Sequence, residues 1–206
     1  IVSRNAKYDL DGGYIERSTN QNTNIDKAKY EVLAHRWVDL SQYDFGLSII
    51  NDGKYGHSVK ESTIYLTLLK TGIYPDFYSD EGYHELSYCI YLHGYCNVKK
   101  IVQRADNYNK EIMVFDKLID NSKYHLDILN DSFKLLSYRK RDNKKIIRIC
   151  EVVGSSGVVD ISPRFSFNKV FLTDLLEKNL KELIIQNNKI SLEYEPFKIY
   201  TIIFYT

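Results

Sequence analysis

The stretch AHRWVDLSQYDFGLSIINDGKYG, Ala34 to Gly56, gathers residues that can do chemistry: His35, Arg36, Trp37 and Asp39, then the polar turn Asn51-Asp52-Gly53-Lys54-Tyr55-Gly56. A histidine beside a carboxylate is the minimum equipment for general acid–base catalysis. His35 with Asp39 supplies such a pair, as does His84-Glu85 or His93 around a single strand. Strand alternation gives a plainer account, in which His35 and Trp37 share a face and pack together as structural side chains. His125-Leu126-Asp127 has the spacing that places two metal ligands on one side of a strand. A metal site needs three or four donors, and the nearest companions, Asp120 and Asp131, bring no further histidine. A surface histidine in a linker is the plainer reading.

No G-x-S-x-G motif occurs, and no cysteine–histidine pairing is legible. Gly154-Ser155-Ser156-Gly157 lies between apolar runs and reads as a tight turn. It is not a phosphate loop, because no Lys-Ser/Thr follows it. Read this way, the residues offer a scaffold without a complete catalytic constellation.

The elements that must position these groups are strands. STIYLTLLK alternates, with Ile64, Leu66 and Leu68 on one face. HELSYCIYLHG places Leu86, Tyr88, Ile90 and Leu92 on one face and Glu85, Ser87, Cys89 and His93 on the other. KYEVLAHRWVDL reads as one strand, with Tyr30, Val32, Ala34 and Val38 opposite Leu33, His35 and Trp37. The segment Asp116 to Asp131 loses period and marks a domain junction. Beyond it, a hairpin turns near Arg141-Asp142-Asn143-Lys144. KVFLTDLLEKNLKELII is ambiguous: Leu172, Leu175, Leu176 and Leu180 fit a helical face, and a short helical turn between strands is equally allowed. The closing run KISLEYEPFKIYTIIFYT is strand, with Pro196 marking an edge or bend.

Composition agrees. The 206 residues include 18 Tyr and 9 Phe but only 3 Pro, a balance suited to pleated, half-buried surfaces. Twenty-eight basic against 27 acidic residues give no electrostatic reason to expect nucleic acid or an anionic membrane. No apolar run approaches the roughly 18–20 residues of a membrane span, and no signal-peptide pattern is expected from the opening residues. Cys89, Cys96 and Cys150 are too few and odd in number for a disulfide framework, which points to a reducing, cytoplasmic setting. The opening IVSRNAKYDL is strand-like and reads as the middle of a longer polypeptide.

Several blocks fall in a familiar order. ERSTNQNTNID (Glu16–Asp26), AKYEV (Ala28–Val32), HRWVDLS (His35–Ser41) and NDGKYG (Asn51–Gly56) come first. Tyr74, Pro75, Asp76, Asp80, Gly82, His84, Glu85, Tyr88, Tyr91 and His93 follow, then the hairpin ending in EVVGSSG, then TDLLE and PFKIYTI. This series resembles the C-terminal β region of the family 38 α-mannosidases, in their cytosolic and microbial branch, over nearly the whole chain. Ser18, Asn20 and Ile25 depart from the family's Pro, His and Trp, and Tyr30 and Lys70 replace a usual Phe and Arg.

The resemblance implies an all-β fold: an antiparallel β-sandwich, part of a supersandwich, over residues 1–118, and a smaller C-terminal β-sandwich over 119–206. It implies retaining hydrolysis of terminal α-mannosides by two carboxylates. Zinc and the catalytic residues are then expected in an N-terminal barrel of the same polypeptide, with no catalytic residue and no metal ligand in this fragment. Asn51, Asp52, Lys54, Tyr55 and Lys70 would rim the substrate cleft. The expected partners are that barrel and an α-mannoside or oligosaccharide, with neither nucleic acid nor membrane; family members often assemble into homo-oligomers. The alternative is an independent carbohydrate-binding or scaffolding β-module. The first reading expects an apolar patch where the barrel docks; the second expects a groove lined by exposed aromatics.

Overall fold

The computed structural model describes residues 3–111, 126–128, 130 and 132–206. The chain forms two compact units, one running to Glu111 and the other following it. The junction expected between residues 118 and 119 falls outside the described residues, as does His125 of the His-x-Asp pair.

The first unit contains β1 (Asn5–Leu10), β2 (Gly13–Ser18), α1 (Asn24–Ala28), β3 (Val32–Leu33) and β4 (Trp37–Ser41). It continues with β5 (Gly46–Asn51), β6 (Gly56–Lys60), β7 (Thr63–Leu66), β8 (Tyr88–His93) and α2 (Val98–Asn109). A five-stranded antiparallel sheet has the order β2-β1-β4-β5-β8, and a smaller one has the order β3-β6-β7. Alternation assigns the faces. On one, Tyr8, Val38 and Leu40 pack with Ala6, Ala34 and Val59, and with Val32 and Ile64 of the smaller sheet. On the other, Trp37 and Ile50 meet Val98, Ile101, Val102 and Ala105 of α2.

Helix α2 lies outside the strand-only reading, although its signal is present. Val98, Ile101, Val102 and Ala105 recur at helical spacing. Asn97 caps the helix by accepting from Lys100 N at 3.1 Å. Removing the buried Ile101 side chain to alanine would cost about 2–5 kcal/mol.

KYEVLAHRWVDL is not one strand. Ala34 N donates to Tyr55 O (3.0 Å), and the next amide, His35 N, donates to Asp9 O (2.9 Å). The chain therefore leaves the small sheet and enters the large one across Ala34–Arg36, and strand alternation is interrupted there. His35 and Trp37 consequently do not pack together. His35 stacks on Tyr55, with centroids 5.4 Å apart, while Trp37 lies beneath α2 near Tyr14.

The second unit contains β9 (Leu126–Ile128), β10 (Phe133–Arg141), β11 (Lys144–Glu151), β12 (Gly157–Pro163) and β13 (Lys169–Thr173). Then come β14 (Asn179–Glu182), β15 (Ile185–Gln186), β16 (Lys189–Tyr194) and β17 (Ile199–Tyr205). Two antiparallel sheets, β10-β11-β17-β13-β14 and β15-β16-β12-β9, enclose a core built from Ile147, Ile149, Val159, Ile161, Ile202 and Phe204 among others. The Asp142-Asn143 hairpin stands where the turn residues place it, with Asp142 at φ 52.

KVFLTDLLEKNLKELII is not a helix; the alternative of two strands joined by a short turn is the nearer one, and the turn is a single one in which Glu177 N donates to Asp174 O at 3.1 Å. It is the hairpin of β13 and β14, registered Phe171↔Glu182 and Leu172↔Lys181. Asp174 Oδ1 accepts from Leu176 N and Lys178 N, both at 2.9 Å, and this side-chain turn replaces helical hydrogen bonding. Leu175, Leu176 and Leu180 are left exposed. The closing run divides into β16 and β17, with Pro196 in the bend between them.

Candidate functional site

The turn after β5 is organised by Asn51, which is fully buried. Its Oδ1 accepts from Gly53 N (2.9 Å) and Lys54 N (2.6 Å), closing a tight side-chain turn. Its Nδ2 lies 3.3 Å from His57 Nε2, and His57 Nδ1 lies 3.3 Å from Tyr55 O. A neutral imidazole protonated on Nδ1 satisfies both contacts. Burial holds His57 below the ordinary histidine range, against the opposing pull of Tyr55 O and Glu31. Asn109 of α2 donates to Asn51 O at 3.1 Å, which ties the turn to the helix. Gly53 sits at φ +114, where a side chain would strain the backbone.

The remaining expected rim residues do different things. Asp52 is exposed, and its Oδ2 accepts from Ser87 N at 3.1 Å, fastening the start of β8 to the turn. Lys54 is half-buried and forms no ion pair with Asp52 among the described residues. Tyr55 presents one ring face to His35 and is half-exposed. Lys70 reaches the same neighbourhood through Glu31. Its Nζ donates to Glu31 Oε2 (2.5 Å) while Thr67 Oγ1 donates to Glu31 Oε1 (2.5 Å), and Thr67 N donates to Gly56 O (2.9 Å). The hydrogen bonds from Lys70 and Thr67 pull the Glu31 carboxyl below its ordinary range, and Glu31 raises Lys70. A Cβ at residue 56 would lie 2.5 Å from Glu31 Oε1 and 3.0 Å from Thr67 Cβ, so Gly56 makes room for this bridge. Glu31, His57, Ser87 and Asn109 were not among the expected site residues. Of these, Glu31 lay in the matching block Ala28–Val32, and Asn109 lay outside every stretch that carried the resemblance.

The expected acid–base pairs do not form as pairs: each histidine makes a separate contact, His93 in the interior, His35 half-buried and His84 exposed. His35 Nδ1 lies 4.0 Å from Asp9, not beside Asp39. Arg36 donates to Asp9 from its backbone N and its Nε, both at 3.0 Å, and also engages Asp106 of α2. Burial pushes the Asp9 carboxyl up, opposed by Arg36. The guanidinium loses hydration but is held charged by Asp9 and Asp106. Asp39 instead accepts from His93 Nε2 (2.8 Å), Ser48 Oγ (2.7 Å), Cys96 Sγ (3.6 Å) and Ser41 Oγ. Four donors satisfy one buried carboxylate, which is what burial of a charge requires. His84 Nε2 contacts Asp80 O at 2.8 Å and does not join His93. The tight packing of His35, Arg36, Trp37 and Asp39 therefore serves four separate contacts around one strand crossing.

In the second unit, Asp127 pairs with Arg164 at 2.8 Å. The Gly154–Gly157 turn is held by Glu151, whose carboxylate accepts from the backbone N atoms of Val153, Gly154, Ser155 and Phe197, and from Ser155 Oγ. Among the described residues, no three or more His, Cys, Asp or Glu side chains gather where they could hold one metal ion. No described helix is long and apolar enough to cross a membrane.

Comparison with known proteins accords with this architecture. Residues 1–78 match the Glycosyl hydrolases family 38 C-terminal domain, and residues 132–202 match the Glycosyl hydrolases family 38 C-terminal beta sandwich domain. Alpha-mannosidase 2C1 of Mus musculus is 30% identical over 210 residues, 97% of this chain and 20% of its own length. Alpha-mannosidase G of Dictyostelium discoideum is 46% identical over 93 residues, 45% of this chain and 9% of its own length. The crystal structure of an alpha-mannosidase from Enterococcus faecalis V583 superposes with a TM-score of 0.71 at 16% identity, covering 100% of this chain and 24% of that one. The chain thus spans about a fifth of the length of the curated relatives it matches along nearly its whole extent.

Proposed function

The chain belongs to glycosyl hydrolases family 38, as its C-terminal β region, and from that premise we propose that it is the supporting part of a longer α-mannosidase, rimming an active site formed by a catalytic region N-terminal to it. The observation that supports this most is the order of the two family matches within a chain one fifth the length of its relatives. The reaction proposed for the whole polypeptide is retaining hydrolysis of terminal α-mannosides, by a nucleophilic carboxylate and a second carboxyl group that protonates the leaving oxygen. Zinc in the catalytic region would supply a Lewis acid for sugar hydroxyls. Among the described residues no three or more His, Cys, Asp or Glu side chains make a zinc set, and no step of the reaction is assigned to them.

Within this reading the residues take distinct roles. Asn51 holds the turn that presents the half-buried Lys54 ammonium and the half-exposed Tyr55 phenol toward the cleft. Asp52 fastens the start of β8, and Lys70, held by Glu31, borders the same turn. The organisation proposed is a supersandwich segment over residues 1–118 and a small C-terminal β-sandwich over 119–206. The polypeptide is proposed to act on α-mannosides or oligosaccharides in the cytoplasm and to assemble as a homo-oligomer.

The test is hydrolysis of an aryl α-mannoside by the 206-residue chain and by the full reading frame that contains it. Activity is expected only in the longer polypeptide, with retention of configuration and loss on chelation. Activity in the short chain, or none in either, refutes the reading. Lys54→Ala in the longer polypeptide is expected to lower kcat/KM about tenfold, the loss of roughly one good hydrogen bond to a charged group. An unchanged kcat/KM removes Lys54 from the rim.

A further inference from the structure

The large sheet of the first unit is covered unequally. The register sets Val38 opposite Ile49 and Ile49 opposite Ile90, and sets Leu40 opposite Leu47 and Leu47 opposite Leu92. Opposed residues of an antiparallel pair project to the same side, so this is one continuous apolar face. Its β1–β4 half is closed by the small sheet, and Val38 and Leu40 are buried. The cover thins at β5, where Leu47 and Ile49 are half-buried. At β8 it has gone, with Tyr88, Ile90 and Leu92 exposed by 53%, 58% and 60%. The opposite face of β8 shows no such gap, because Cys89 and Tyr91 pack toward α2. β8 is also the edge of its sheet, so its outer backbone groups find no strand among the described residues.

An alternating edge strand with its apolar face in water is a template for docking another segment of polypeptide. Two facts identify what covers it. The matched relatives carry roughly four-fifths of their length outside the region that this chain spans. Both family matches are to C-terminal domains, which places that length before residue 1. We infer that the β5–β8 half of this face, formed by Leu47, Ile49, Tyr88, Ile90 and Leu92, is the docking surface for the polypeptide N-terminal to residue 1. That polypeptide completes the second layer which the small sheet begins. The inference rests on the proposed membership of a longer enzyme and adds which face joins the two parts.

The test compares the 206-residue chain with the full reading frame by hydrogen–deuterium exchange. Amides of β8 are expected to exchange at least about tenfold more slowly in the longer polypeptide, as edge groups gain cover. The double variant Ile90→Asp, Leu92→Asp is then introduced into both. The short chain is expected to keep its melting temperature, since both side chains already lie in water. The longer polypeptide is expected to lose several degrees and to gain protease cleavage ahead of residue 1. Equal exchange in the two forms, or a variant tolerated in both, overturns the inference. So does a short chain that dimerises and becomes monomeric in the variant while the longer form is unaffected, which makes a second copy the occupant. None of these readouts is catalytic, so an inactive but well-docked polypeptide would sink the functional reading and leave this one standing.

Discussion

Glu151→Gln changes one atom and should remove a large part of the stability of the second unit. The carboxylate is fully buried and accepts five hydrogen bonds. Oε1 takes Val153 N, Ser155 N and Ser155 Oγ; Oε2 takes Gly154 N (2.9 Å) and Phe197 N (2.9 Å). A glutamine keeps its oxygen best on the Oε1 side, which turns its amide N–H₂ toward the Gly154 and Phe197 donors. Two hydrogen bonds to a charged acceptor are lost, at about 1.5–3 kcal/mol each, for a total of about 3–6 kcal/mol. Against the roughly 5–15 kcal/mol that holds a domain together, this is a severe loss. Taking the lower bound, the melting temperature should fall by about 12–24 °C for a unit of this size. The assay is urea unfolding of the 206-residue chain by far-ultraviolet circular dichroism. Fluorescence of the single tryptophan, Trp37, reports the first unit alone. Amide exchange at residues 153–155 and 197 gives the local readout. Glu193→Gln, on the exposed side of β16, is the control and should stay within about 0.5 kcal/mol. A Glu151→Gln loss below about 1 kcal/mol would show that the turn and the β16–β17 bend are held by something other than this carboxylate.

Three further outcomes are expected. His57 is buried with its basicity depressed, so its contribution to stability is complete above about pH 6.5, the unfolded value, and is lost as pH falls from there through the lower folded value. His57→Gln should flatten that slope below about pH 6.5 in denaturant titrations, and an unchanged slope would place the protonation elsewhere. Gly46→Ala should cost about 1–3 kcal/mol, because a Cβ there falls on the His93 ring and Ser41 Oγ, both already engaged by Asp39. A neutral result in thermal unfolding would mean that His93 can move aside. Asp52→Ala should leave global stability within about 0.5 kcal/mol while quickening proteolysis around Ser87, whose amide loses its acceptor. Unchanged cleavage there would show that the fastening is dispensable.

The sequence alone determined what depends on short spacing. Alternation located β8 and the shared face of Tyr88, Ile90 and Leu92, and turn residues located the hairpin at Asp142 and the bend at Pro196. The ordered blocks carried the family, because each is a contiguous pattern that survives without knowledge of what it touches. The long-range partners were decided only by the tertiary structure. Asp39 meets His93 across 54 positions, Arg36 meets Asp106 across 70, and Glu31 holds Lys70 across 39. Nothing local distinguishes these partners from the nearer residues that alternation offers. His35 and Trp37 separated because the change of sheet across Ala34–Arg36 interrupts the alternation there. Four leucines at helical spacing became a hairpin because Asp174 took the turn amides and β17 supplied a ladder for β13. A period describes which way a side chain points relative to its own backbone, whereas what it meets there depends on segments far away in the chain.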